Sequence, residues 1–173
     1  MYFDPFIYKH IKELKLDGVN INKFIIVFWD ISKFSGLIKE LKALMKKRMK
    51  KQGLIFHELE YLLRDYYSEA TRVIKKNNGI LDKFIGDGIF AYFGYQDNKF
   101  DIVHSKAMNA ALELKTNFIK IKEKHMKILY SHYDYKPTTN INLKCAMHIG
   151  QVLFGYWYSP LRSQITAIGD DVN

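Results

Sequence analysis

The apolar positions of this chain change their spacing several times, and each change predicts an element. Phe24 to Trp29 is an unbroken apolar run closed by Asp30, the mark of a strand buried on both faces rather than half exposed. From Leu37 the apolar residues Leu37, Ile38, Leu41, Leu44, Met45 and Met49 recur at helical spacing, with Ser32 or Ser35 placed to cap the start and Gly53 predicted to break the pattern. A second amphipathic helix carries Leu59, Leu62, Leu63, Tyr66, Ala70, Val73 and Ile74 on one face and stops at Asn77, Asn78 and Gly79. Two short strand-like runs, Ile80 to Ile85 and Ile89 to Phe93, are parted by Gly86, Asp87 and Gly88, which reads as a tight hairpin with Asp87 at its tip. A third helix is predicted from Asp101 to about Lys124, then a polar stretch with Pro137, then strands near Ile141 to Ile149, Gln151 to Tyr156 and Gln164 to Ile168. This order predicts an α+β sheet with helices packed over it.

Composition narrows the class. The 173 residues are 48% hydrophobic and 15% aromatic, with only 10 glycines and 3 prolines, which excludes disordered and collagen-like chains. No repeat or linker divides them, so one continuous domain is expected over 23–173, preceded by a leader at 1–22. A single cysteine, Cys145, closes no internal disulfide and completes no cysteine-rich zinc site. No apolar run approaches a membrane span, and the N-terminus lacks a signal-like core, so the expected location is the cytoplasm.

Charge changes the picture further. Lys and Arg number 27 against 18 Asp and Glu, a net +9 that favours anionic partners. The lysine-rich stretch containing Lys39, Lys42, Lys46, Lys47, Arg48, Lys50 and Lys51 keeps helical spacing among its apolar residues, so it reads as the solvated face of a packed helix. Nucleic acid is not an expected partner, because no recognition motif is present and aromatics are not interleaved with the basic run.

Against this basic background two carboxylates stand out. Asp30 ends a buried strand, and Asp87 sits between glycines that let a ligand approach the backbone. Each alone reads as a cap or a turn residue. Together they suit a site for two Mg²⁺ ions, since hard cations take oxygen ligands and then hold phosphate oxygens. His148 reads as a hydrogen-bonded core residue and Cys145 as core, with no zinc-spaced partner for either.

Three segments in order resemble the class III nucleotidyl cyclases, the adenylate/guanylate cyclase catalytic domain. Val27 to Leu37 resembles the first metal-binding strand and loop, with Asp30 at the metal aspartate and Phe34 and Ser35 where that family has Phe-Thr or Phe-Ser. Leu81 to Gly94 resembles the second, with Gly86 in the turn, Asp87 at the second metal aspartate and Lys83 at the base-reading lysine. His148 to Gly155, Arg162 and Thr166 to Asn173 resemble the third, with Thr166 at the other base-reading position and Asn173 at the ribose-orienting asparagine.

The resemblance implies a ferredoxin-like βααββαβ cyclase/palm fold with a mostly antiparallel sheet. It implies Mg²⁺ or Mn²⁺, two ions per site, held by Asp30, Asp87 and Ile31. The implied reaction converts a nucleoside triphosphate, ATP foremost, to the 3′,5′-cyclic monophosphate and pyrophosphate by in-line attack of the ribose 3′-oxygen, for second-messenger signalling. A homodimer with shared active sites is also implied.

Lysine only donates hydrogen bonds, whereas a threonine hydroxyl donates or accepts. The Lys83/Thr166 pair therefore suits adenine, admits cytosine and leaves uracil open, while guanine fits worst. A pyrimidine cyclase of an antiphage system and an inactive nucleotide-binding module are the alternatives. Departures from the family pattern are Ala146 and Tyr158 at usual glycines, Ile165 at a usual aromatic, and an insertion within Leu37 to Glu58. The family's transition-state arginine would fall four residues past Asn173, so the expectation is a catalytic domain lacking its C-terminal part.

Overall fold

The structure is a computed structural model that describes residues 18–47, 52–95, 99–159 and 162–172. In chain order the elements are β1 (Val19–Ser32), α1 (Phe34–Lys47), α2 (Gln52–Lys76), β2 (Gly79–Ile85), β3 (Gly88–Phe93), α3 (Phe100–Tyr133), β4 (Asn142–Ser159), β5 (Arg162–Ile168) and a 3₁₀ turn at Asp170–Val172. One antiparallel sheet holds the strands in the order β2-β3-β1-β4-β5. This is the expected α+β class, with one strand fewer than the sequence pattern predicts.

The apolar run in β1 explains its central position, because both of its faces are buried. Ile25, Val27, Trp29 and Ile31 join the core beneath the three helices, while Phe24 and Ile26 join a second cluster with Tyr92, Phe154 and Ala167 on the other side. Leu37 and Leu41 of α1, Leu62 and Tyr66 of α2 and Leu114 and Phe118 of α3 close the first core. Each such side chain contributes roughly 1.5–3 kcal/mol of burial, so the helical stripes hold the layers together.

Local signals set most boundaries. Asn78 at φ 56° and the Asn77 side chain, donating to the Val73 carbonyl at 2.9 Å, end α2 where predicted. Ser32 is not the expected cap of α1: its hydroxyl donates across the sheet to the Asn142 carbonyl at 3.0 Å. Ser35 lies inside the first turn of α1, and Gly53 lies inside the first turn of α2 rather than between helices. The described lysines of the basic stretch, Lys39, Lys42 and Lys46, are exposed as expected, and Arg48, Lys50 and Lys51 lie outside the described residues.

Two expectations are corrected. α3 runs past Lys124 to Tyr133, because the apolar stripe resumes with Met126, Leu129 and Tyr133 against the core after the polar stretch at Lys122 to Lys124. The predicted strands on either side of Gly150 are one strand, β4, in which Gly150 pairs with Phe24. Gly150 is not a turn residue. A Cβ there would collide with the side chain of Asp171, so glycine is needed for the close approach of the 3₁₀ turn.

Candidate functional site

A tight hairpin joins β2 to β3. Gly86 takes φ 60°, a conformation that favours glycine, and the turn brings the chain back beside β1. Ile89 pairs with Trp29, so Asp87, two residues before Ile89, arrives beside Ile31. The Asp87 carboxylate accepts the N–H of Ile31 and its own N–H, and it lies against the Asp30 side chain. Helix α2 steadies the turn: the Tyr67 hydroxyl donates to the Gly86 carbonyl, and its ring stacks on Phe84 with centroids 4.2 Å apart.

Two acids at one point repel. Burial above all, and then the charge of Asp30, hold the Asp87 carboxyl above the usual carboxylate range, against the pull of the two N–H groups. The ion pairs among the described residues all lie elsewhere. Tyr66, fully buried on the inner face of α2, has its phenol pushed up by burial and further by Tyr67, Asp30 and Asp87, and its hydroxyl has no hydrogen-bond partner among the described residues. The donor set is thus hard oxygen with excess negative charge, which fits a divalent cation of the Mg²⁺ or Mn²⁺ class. Phe34 and Ser35 open α1 directly after this strand, following Lys33 at φ 65°. The free N–H groups of that first turn suit phosphate oxygens.

Lys83 and Thr166 are brought together by a longer route. They lie on β2 and β5, the two opposite edges of the sheet. The sheet curls around the aromatic cluster of Phe24, Tyr92 and Phe154 until those edges meet. Lys83 Nζ donates to Thr166 Oγ1 at 3.1 Å. Asp82 stands in the same cluster, accepting from Thr166 Oγ1 at 2.8 Å and from the Tyr92 hydroxyl at 2.6 Å. The sequence reading missed Asp82 and Tyr92, since an acid beside a strand lysine carries no local signal. Among the described residues, no hydrogen bond or ion pair links this cluster to Asp30 and Asp87.

Other expectations fare differently. His148 is exposed rather than core and faces Asp171 at 2.9 Å, and Asp171 also accepts the Gln151 N–H at 3.0 Å, which pins the 3₁₀ turn to β4. Cys145 is exposed rather than core, on the β4 surface beside Met108, Leu112 and Met147. Asn173 lies outside the described residues. No helix among the described residues is long and apolar enough to cross a membrane.

No family model and no curated relative matches the chain. Solved structures do. The guanylyl cyclase Cya2 is similar at 20% identity and TM-score 0.68, over 90% of this chain and 68% of that one. The adenylyl cyclase CyaB from P. aeruginosa is similar at 20% identity and TM-score 0.67, over 90% of this chain and 69% of that one. A class III adenylyl cyclase-like ATP-binding protein from Pseudomonas aeruginosa is similar at 18% identity and TM-score 0.64, over 98% of this chain and 32% of that one. The curled antiparallel sheet, its three covering helices and these likenesses together give the chain the fold of the class III adenylyl and guanylyl cyclase catalytic domains.

Proposed function

We propose that this chain is a cytoplasmic nucleotidyl cyclase domain that converts a nucleoside triphosphate, ATP foremost, to its 3′,5′-cyclic monophosphate and pyrophosphate. The observation that carries the reading is the meeting of Asp30 and Asp87, an uncompensated carboxylate pair, within a cyclase fold. Asp30, Asp87 and the backbone carbonyl of Ile31 would hold two Mg²⁺ or Mn²⁺ ions. When bound, the ions supply charge neutralisation on the triphosphate and lower the proton affinity of the ribose 3′-hydroxyl.

The chain's own groups do the positioning. The first turn of α1 at Phe34 and Ser35, with the backbone at Gly86, cradles phosphate oxygens. Lys83 and Thr166 orient the base, and Asn173 orients the ribose. The separation of the Lys83–Thr166 cluster from the carboxylate pair supports a homodimer in which each site takes one cluster from each copy. A nucleotide-binding module without turnover is the second reading, favoured by the likeness to the ATP-binding protein.

Incubating the protein with Mn²⁺ and each of the four ribonucleoside triphosphates, with products read by mass spectrometry, tests this directly. Cyclic AMP from the native chain and none from Asp30→Ala or Asp87→Ala is the expected result. Nucleotide bound without product would support the second reading, and product retained in either variant would sink the metal assignment.

A further inference from the structure

We infer that Asp82 sets the base preference of the proposed site, by fixing the Thr166 hydroxyl as an acceptor so that bases presenting a ring-nitrogen acceptor beside an amine are chosen over bases presenting a ring N–H beside a carbonyl. The inference rests on the nucleotide reading above. It begins with a break in regular pairing: Leu81 pairs with Ala91 and Lys83 with Phe90, leaving Asp82 as an extra residue. Neighbouring side chains on a regular strand point to opposite faces, whereas a bulge re-aims them. The bulge accounts for both Asp82 and Lys83 reaching Thr166.

Each hydroxyl hydrogen in this cluster then has one place to go. The Ala167 N–H donates to the Tyr92 oxygen at 3.3 Å, so the Tyr92 proton is free to point to Asp82 Oδ2 at 2.6 Å. A carboxylate only accepts, so Thr166 must spend its single proton on the same Oδ2 at 2.8 Å. A lysine ammonium only donates, so Lys83 presses a proton on the Thr166 oxygen at 3.1 Å and lies 3.4 Å from Asp82 Oδ2. The side chain of Asp82 is 3% exposed, so water does not compete for its oxygen, while Lys83 at 43% forms the solvent side of the cluster.

Thr166 is itself 3% exposed, so a base would reach the pair from the Lys83 side, and what remains for it is one donor, from Lys83, beside one acceptor, the second lone pair of Thr166. Adenine and cytosine present a ring-nitrogen acceptor beside an amine donor and match both. Guanine and uracil present a ring N–H beside a carbonyl and oppose both. The threonine ambiguity that leaves uracil open in the sequence is removed by a residue that itself touches no nucleotide. Asp82 is therefore a positioning residue.

The test is competitive equilibrium binding of ATP against ITP and of CTP against UTP, in the presence of Mn²⁺. These pairs exchange an amine for a carbonyl on an otherwise similar ring. The native protein is expected to prefer ATP and CTP by at least about 10-fold. Asp82→Ala, which frees the Thr166 proton, should lower that preference at least about threefold, and Asp82→Asn, which keeps an acceptor oxygen, should restore it. In a Thr166→Val background Asp82→Ala should have no further effect on the ratio, a result that a merely structural role would not produce.

If Asp82→Ala does not fold, native protein, Thr166→Ser and Thr166→Val still decide the matter, with the preference kept in the serine variant and lost in the valine one. ATP and ITP bound equally by the native protein, or a ratio untouched by Asp82→Ala, overturns the inference while leaving the nucleotide site intact. No binding of any triphosphate overturns the site reading and this inference with it.

Discussion

Two of the carboxylate pairs among the described residues are treated in opposite ways. Between α2 and α3, Glu58 and Asp65 flank His125: the Glu58 carboxylate meets Nδ1, and Asp65 Oδ2 lies 2.9 Å from Nε2. With an acceptor at each ring nitrogen, the imidazole compensates both acids, and Lys124 adds a bond to Asp65 at 2.7 Å. These hydrogen bonds and charges, with the Lys124 bond first, hold the Asp65 carboxyl below its usual range despite burial. Asp30 and Asp87 receive no such cation from the described residues, and Asp87 is held high. An acid pair that the chain neutralises itself braces two helices, whereas one that it leaves charged is suited to an external cation.

The two acid pairs differ most at Asp87. Under the proposed function, Asp87→Asn should cut cyclisation by at least about 100-fold, since it removes charge aimed at the reacting centre. The same change should raise the Tm of the metal-free protein at neutral pH. Asp87 binds a proton more readily folded than unfolded, so it favours the fold at low pH and costs stability as pH rises through its raised value. A lower Tm in this variant would show that the repulsion between the two acids is not real.

His125→Ala is the reciprocal change and should behave in the reverse manner. It leaves Glu58, whose side chain is 9% exposed, as a buried charge without its partner, for a loss of about 3–5 kcal/mol in urea unfolding. Base preference in the surviving folded fraction should not move. A loss below about 1 kcal/mol would mean that the brace is ornamental.

A third acid sharpens the contrast through pH. Burial pushes Glu40 up, but bonds from the Thr139 and Tyr135 side chains and the N–H groups of Thr138 and Thr139 outweigh it and bring the carboxyl down from 4.5 to about 2. Its stabilisation is therefore present above 4.5 and is lost as pH falls toward 2. Glu40→Gln should flatten the acid limb of a stability-versus-pH curve, an effect that an unchanged limb would refute. Smallest of all is the exposed network of Arg72 with Glu69 and Glu113, at 2.6 and 2.7 Å. Arg72→Ala should leave the Tm by thermal unfolding almost unchanged, because exposed pairs of this kind are screened by solvent.

The chain's own pattern makes much of this legible. The six apolar residues from Phe24 to Trp29 could only be buried on both faces, and that alone places β1 at the centre of the sheet. Gly86 and Gly88 around an aspartate specify the hairpin, and the helical stripes specify the layer above it, because these signals are local and steric. Asp30 and Asp87 are therefore legible as a candidate pair in the sequence itself.

Other features depended on the tertiary structure. Whether Gly150 turns or continues depends on Asp171 arriving beside it, and whether α3 ends at Lys124 depends on the core waiting for Leu129. The meeting of Asp82, Lys83 and Thr166 needs the whole sheet to curl until its two edges touch. His125 finds Glu58 and Asp65 only because two helices far apart in sequence pack together. Backbone conformation and burial are chosen by near neighbours, whereas the direction of a shared proton is chosen by whichever groups the fold brings within hydrogen-bond reach.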